Sequence, residues 1–218
     1  MKGLLKNNFY AALSNAKMFS MVMVLLGICV VAKKQDVQGV LIGYMLLGMT
    51  GFSVIAIAGL RKENTSKWSK YKLTVPVRRI DIVKSYFLSE LFGLAAGMMF
   101  AGIAVILSIL LHGSVFDKDT DIFMVFVVGI GLSLFMGAVF FPLFYLAGEE
   151  GAEALIVVSL LAGVGVIMGA SSLMNYLFGP HMTTFQIILA GAAILAFSAL
   201  AYLLSFPLSV CIFKKKEF

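Results

Sequence analysis

The sequence predicts an all-α integral membrane protein with six transmembrane helices. An amphipathic interfacial helix precedes the first span, and a short cytoplasmic helix lies between the second and third. Three observations predict this. Of 218 residues, 61% are hydrophobic and 13% charged, whereas a water-soluble domain carries about 25% charged residues. The apolar residues gather in six runs, and five of these reach the roughly 20 helical residues that cross hydrocarbon. The Lys and Arg residues concentrate in alternate connecting segments. A β-barrel would instead show stretches of about ten residues with alternating polarity, and only 4 prolines interrupt the chain.

The runs place the spans at 17–32, 38–60, 85–111, 122–147, 154–178 and 185–212. The first is short. It lies between Lys17 and Lys33, so it must take a turn from the segment before it or let its lysines snorkel. No small-residue cleavage site follows, so it is read as a retained span. Fourteen of the seventeen Lys and Arg fall in the N-terminal segment, the second loop and the C-terminal tail. Only Lys33, Lys34 and Lys118 lie elsewhere. The positive-inside bias therefore puts both termini in the cytoplasm. This topology also accounts for the formal charge of +6, without a nucleic-acid partner. With no internal repeat and no linker, residues 1–218 read as one domain.

Before the first span, Leu5, Phe9, Ala12, Leu13 and Ala16 share one helical face, with Lys2, Lys6, Asn7 and Ser14 elsewhere. Over 1–16 this is the pattern of a helix lying in the inner interface. A plain extension of the first span is the competing reading. The loop 61–84 is the longest polar segment. Asn64 or Thr65 can cap a short helix running to about Thr74. Pro76 holds Val75 extended and ends that helix. A new helix starts near Arg78 and carries Asp81 in its first turn, at the positive end of its dipole.

Within that loop, Trp68-Ser69-Lys70-Tyr71 and then Pro76-Val77-Arg78-Arg79-Ile80-Asp81-Ile82-Val83-Lys84 resemble the pattern of small ABC type-2 exporter permeases. The amphipathic start, six spans and basic second loop extend the resemblance over nearly the full length. In kind, the chain is similar to the permeases of phenol-soluble-modulin exporters of Gram-positive bacteria. The resemblance implies that 61–84 holds a coupling helix docking on a separate ABC ATPase subunit, with Trp68, Lys70, Tyr71, Pro76, Arg78 and Arg79 in the contact. ATP and magnesium would then bind that subunit and not this chain. It also implies two permease chains, as a homodimer in the bacterial cytoplasmic membrane, forming the path of an amphipathic or apolar substrate such as a peptide. From the residues alone, Trp68 and Tyr71, three apart on one face, equally suit headgroup anchors. Arg78 departs from the family pattern, which often has Ser there, a better helix N-cap.

Other candidates are weaker. Glu149, Glu150 and Glu153 join spans 4 and 5 and suit either a second cytoplasmic contact or a solvated turn. A Glu-Glu protease site fails because position 154 is Ala and His112 and His181 fall at the outer face. Glu90 lies inside span 3 and is expected to reach water or a lysine such as Lys6. Gly93 and Gly97 in span 3, and Gly165 and Gly169 in span 5, form G-x-x-x-G motifs that pack helices closely. Intrachain packing is the plainer use of both, while the resemblance tilts Gly165 and Gly169 towards a dimer seam. Cys29 and Cys211 lie at opposite ends of the bundle and read as unpaired buried residues. No phosphate-binding loop, credible nucleophile–base pair or metal-ligand cluster is present. The reading is a non-enzymatic permease subunit. The alternatives are a small transporter without an ATPase, or a membrane immunity or structural protein.

Overall fold

The computed structural model describes residues 2–32, 37–65, 78–113, 115–116, 118–148, 151–179 and 183–215. Among these the chain forms six helices and no strand: α1 (Lys2–Ala32), α2 (Val37–Thr65), α3 (Arg79–His112), α4 (Asp119–Ala147), α5 (Ala152–Phe178) and α6 (Thr184–Lys215). Each contains a stretch long and apolar enough to cross a membrane, and the protein is a multi-pass membrane protein. The expected spans fall inside these helices, mostly within three residues of their ends. The exceptions are α1, α2 and α3, which run further at the end rich in Lys and Arg.

The extension of α1 has a physical reason. Residues 1–16 were expected to lie apart in the interface, yet residues 2–32 form one unbroken helix. A Cβ on Gly59 would stand 3.6 Å from the Ala12 Cβ. The residues before the short apolar run are thus packed against α2, and with them the first helix reaches the roughly 20 residues that a span needs.

α2, α3 and α4 form the centre, with α6 packed on α4 and α3. Met45, Met49, Val83, Met136, Phe140 and Phe141 are fully buried there. Phe87 stacks on Phe141 at 4.2 Å and also meets Tyr202 at 5.0 Å and Phe206 at 5.4 Å. Such ring pairs contribute about 0.5–1.5 kcal/mol each beyond the area they bury, which matters in lipid, where apolar burial alone drives little helix association. By contrast, α5 buries only Ala152, Ser159, Gly163 and Ile167, and α1 leaves Met18, Met21, Leu25 and Ile28 exposed.

Two prolines sit inside helices, Pro142 in α4 and Pro207 in α6. Pro142 lacks an N–H, so the Ala138 carbonyl one turn earlier loses its helical donor. Ser205 of α6 replaces it, donating to the Ala138 carbonyl at 2.7 Å. Where no water is present, such a substitute donor is what lets a proline stay in a span.

Contacts between helices fix which ends lie together. Asn8 of α1 donates to the Ser85 hydroxyl of α3 at 2.9 Å, and Ser85 donates to the Ile82 carbonyl at 2.7 Å. Arg79 at the start of α3 donates to the Lys214 carbonyl at 3.2 Å, one of the carbonyls that the end of α6 leaves without a helical donor. At the other end, a ring nitrogen of His112 lies 2.7 Å from the Val31 carbonyl. The start of α1, the end of α2, the start of α3 and the end of α6 thus share one end of the bundle, called here the basic end. Cys29 and Cys211 are both free, but both are exposed on the bundle surface. This corrects the expectation of burial: each projects from a helix face that no neighbour in the chain covers.

Candidate functional site

At the basic end, α2 runs to Thr65, about one and a half turns past Gly59, and α3 begins at Arg79, six residues before Ser85. Residues 66–77, which join them, lie outside the described residues, and with them Trp68, Lys70, Tyr71 and Pro76. The same holds for Glu149 and Glu150. Arg78 and Arg79 are described and exposed. Arg78 stands at the helix N-cap position with φ −67° and ψ 136°, and its side chain makes no capping bond. Its carbonyl accepts the Asp81 N–H at 2.9 Å. The weak cap that Arg in place of Ser implies is therefore seen, and Asp81 occupies the first turn as expected. Glu153 is exposed in the first turn of α5, behind a turn whose ends, Gly148 (φ 87°) and Gly151 (φ 109°), take backbone conformations that favour glycine.

The two G-x-x-x-G motifs separate. A Cβ on Gly93 would lie 2.7 Å from the Phe52 carbonyl oxygen, and one on Gly97 would lie 2.6 Å from the Met49 Cα. That motif is used inside the chain, where it brings the backbones of α2 and α3 together. Gly165 and Gly169 are exposed, and a Cβ on either would meet nothing within 4 Å. Intrachain packing, the plainer reading of this second motif, therefore fails. Beside it, α4, α5 and α6 border an open pocket of about 620 Å³ lined by aliphatic side chains, three methionines, and Ser171, Ser172 and Asn175.

Glu90 departs most from expectation. It is 2% exposed, so it reaches neither water nor Lys6, whose ammonium sits over the Tyr10 ring at 5.9 Å. Its carboxyl points at Gly137 of α4 and fills the place that a Cβ there would take. The Tyr202 hydroxyl lies against it, but that group's single proton goes to the Phe87 carbonyl at 2.8 Å. Both carboxyl oxygens lack a hydrogen-bond partner among the described residues. The sequence marks Glu90 as an ionisable residue inside a span. The partners Gly137 and Tyr202, 47 and 112 residues away, carry no signal by themselves.

The family described as ABC-2 family transporter protein matches residues 3–214, nearly the whole chain. Comparison with curated proteins and with solved structures gave no match.

Proposed function

The chain belongs to the ABC-2 transporter family, and from that premise we propose that it is the permease subunit of an ATP-driven exporter. The single observation that carries the reading is the family match over 3–214. A permease of this kind needs a separate ATPase subunit, and here it docks on 61–84 through Trp68, Lys70, Tyr71, Pro76, Arg78 and Arg79. The course of α2 to Thr65 and of α3 from Arg79 supports that site, because both helices lead from the loop into the central core. Glu149, Glu150 and Glu153 form a second contact. The basic end is then cytoplasmic, in a bacterial cytoplasmic membrane, as the charge bias also argues.

Two permease chains pair as a homodimer through the face of α5 carrying Gly165 and Gly169. The exposure of both glycines supports this, since small residues at i and i+4 let helices in lipid approach closely. ATP binding closes the two ATPases and moves the coupling segments. The movement shifts the permease only as far as the ATPase contacts favour one arrangement over the other. The substrate is amphipathic or apolar, and a peptide suits the likeness to phenol-soluble-modulin exporters. The open, largely apolar pocket bordered by α4, α5 and α6 supports such a ligand, since Met124, Met168 and Met174 there can adapt to varied apolar shapes.

The test is Trp68→Ala. Reduced ATPase binding or reduced transport, at normal expression, is expected. Undiminished complex formation and transport would remove Trp68 from the docking surface.

A further inference from the structure

A groove of about 270 Å³ runs between α1, α2 and α3 at the basic end. Small residues make up about half of its lining, among them Ala12 and Ala16 on α1, Ala56 on α2, and Ser89 and Ala96 on α3. The exposed rings of Phe9 and Phe92 flank it. Two contacts bound it: the Asn8–Ser85 hydrogen bond between α1 and α3, and the edge-on contact of Phe19 on α1 with Phe52 on α2 at 5.0 Å. On the α2–α3 side the backbones already meet closely, Gly93 against Phe52.

The groove lies at bilayer depth, since Ala16 and Ser20, Ile55 and Ala56, and Ser89 and Ala96 all fall within the apolar stretches of their helices. Lys17 lines it too, is exposed, and is the one Lys or Arg in the apolar stretch Asn15–Ala32. It stands near the basic end of that stretch, where a lysine stem can lie along apolar surface and carry its ammonium to the level of the lipid phosphates. The volume is below the roughly 300–1,000 Å³ of drug-sized ligand sites and suits one narrow chain.

We propose that this groove binds one anionic phospholipid, with an acyl chain between α1 and α3 and its phosphate at Lys17. The apolar lining takes the chain and supplies no headgroup selectivity. Lys17 supplies the selectivity and is itself satisfied by the phosphate. This site is independent of the exporter reading and requires only that the chain lie in a bilayer.

The test is native mass spectrometry of the purified full-length protein after exposure to equal amounts of phosphatidylglycerol and phosphatidylcholine with identical chains. The wild type is expected to retain one phosphatidylglycerol with a preference of about fivefold, the effect of one basic residue near anionic headgroups. Lys17→Gln is expected to keep a bound lipid and lose the preference. Ala16→Phe and Ala96→Phe, which fill the groove from opposite walls, are each expected to remove the retained lipid; a thermal melt identifies which of them stays folded. Equal retention of both lipids by the wild type, or unchanged retention in a folded groove-filled variant, would overturn the proposal. So would near-complete cross-linking of two chains through a cysteine replacing Phe92, since a second copy would then cover the groove.

Discussion

The Glu90 carboxyl on α3 occupies the space that a side chain on Gly137 of α4 would need. Neither residue explains itself alone. The glycine leaves a notch deep in the bundle, and the glutamate fills it without a hydrogen-bond donor among the described residues. Gly137→Ala is therefore expected to destabilise the protein by about 1–3 kcal/mol, as overpacked cores do. Combining it with Glu90→Ala should recover part of that loss, because the added methyl then enters vacated space. Thermal unfolding in detergent measures the cycle. Strict additivity of the two changes would show that the residues do not share this space.

The missing polar partner gives a second expectation. Glu90→Met keeps the length of the side chain and removes the unpaired oxygens, so it should leave stability unchanged or raise it. If Glu90 serves transport, the same variant separates the roles: a stable protein with reduced transport. A large loss of stability would mean that the carboxyl has a donor in the working membrane protein.

Pro142 and Ser205 form a second coupled pair through the Ala138 carbonyl. Ser205→Ala should cost about 0.6 kcal/mol, the measured average for interhelical hydrogen bonds in a membrane protein, and no more than about 1.7 kcal/mol. In a Pro142→Ala background the helix regains its own donor, and the same substitution should cost less. An equal cost in both backgrounds would show that the hydroxyl does not compensate for the proline.

The two glycine motifs should respond in opposite ways. Gly97→Ile drives a side chain into the α2 backbone and should prevent stable folding, since an interior overlap with backbone has no cheap relief. Gly165 and Gly169 are exposed and a Cβ on either meets nothing within 4 Å, so Gly165→Ile and Gly169→Ile should each leave the single chain's thermal stability within about 0.5 kcal/mol. If α5 forms the dimer seam, both should weaken self-association, read by cross-linking in native membranes. Intact dimers in both variants would move the seam elsewhere.

The spans were legible because one physical demand dominates them. A segment in lipid must satisfy its backbone internally and present apolar side chains, and both requirements act residue by residue. The shortness of the first apolar run was legible too, and the helix continues through Lys17 without a break. The continuity of residues 2–32 was not, because an amphipathic face that suits an interface also suits packing against α2 and α3. Glu90 was visible as a charge out of place, but its surroundings depend on Gly137 and Tyr202, which only the packing brings near it. The two G-x-x-x-G motifs were indistinguishable in sequence; they part only when α2 is seen against one and nothing against the other. The burial expected of Cys29 and Cys211 failed for a related reason, since in lipid an apolar residue is content on the outside. Residues 66–77, where the resemblance puts the ATPase contact, lie outside the described residues, so their role rests on family and motif.

The most direct test of the central claim is a pull-down of the tagged chain in mild detergent from cells co-expressing its candidate ABC ATPase. The account predicts a stable complex that hydrolyses ATP and that is lost on deleting residues 64–76, while the deleted chain still elutes as a folded membrane protein. A wild-type chain that elutes well folded without any ATPase, or a deletion that leaves the complex and its hydrolysis intact, would contradict it.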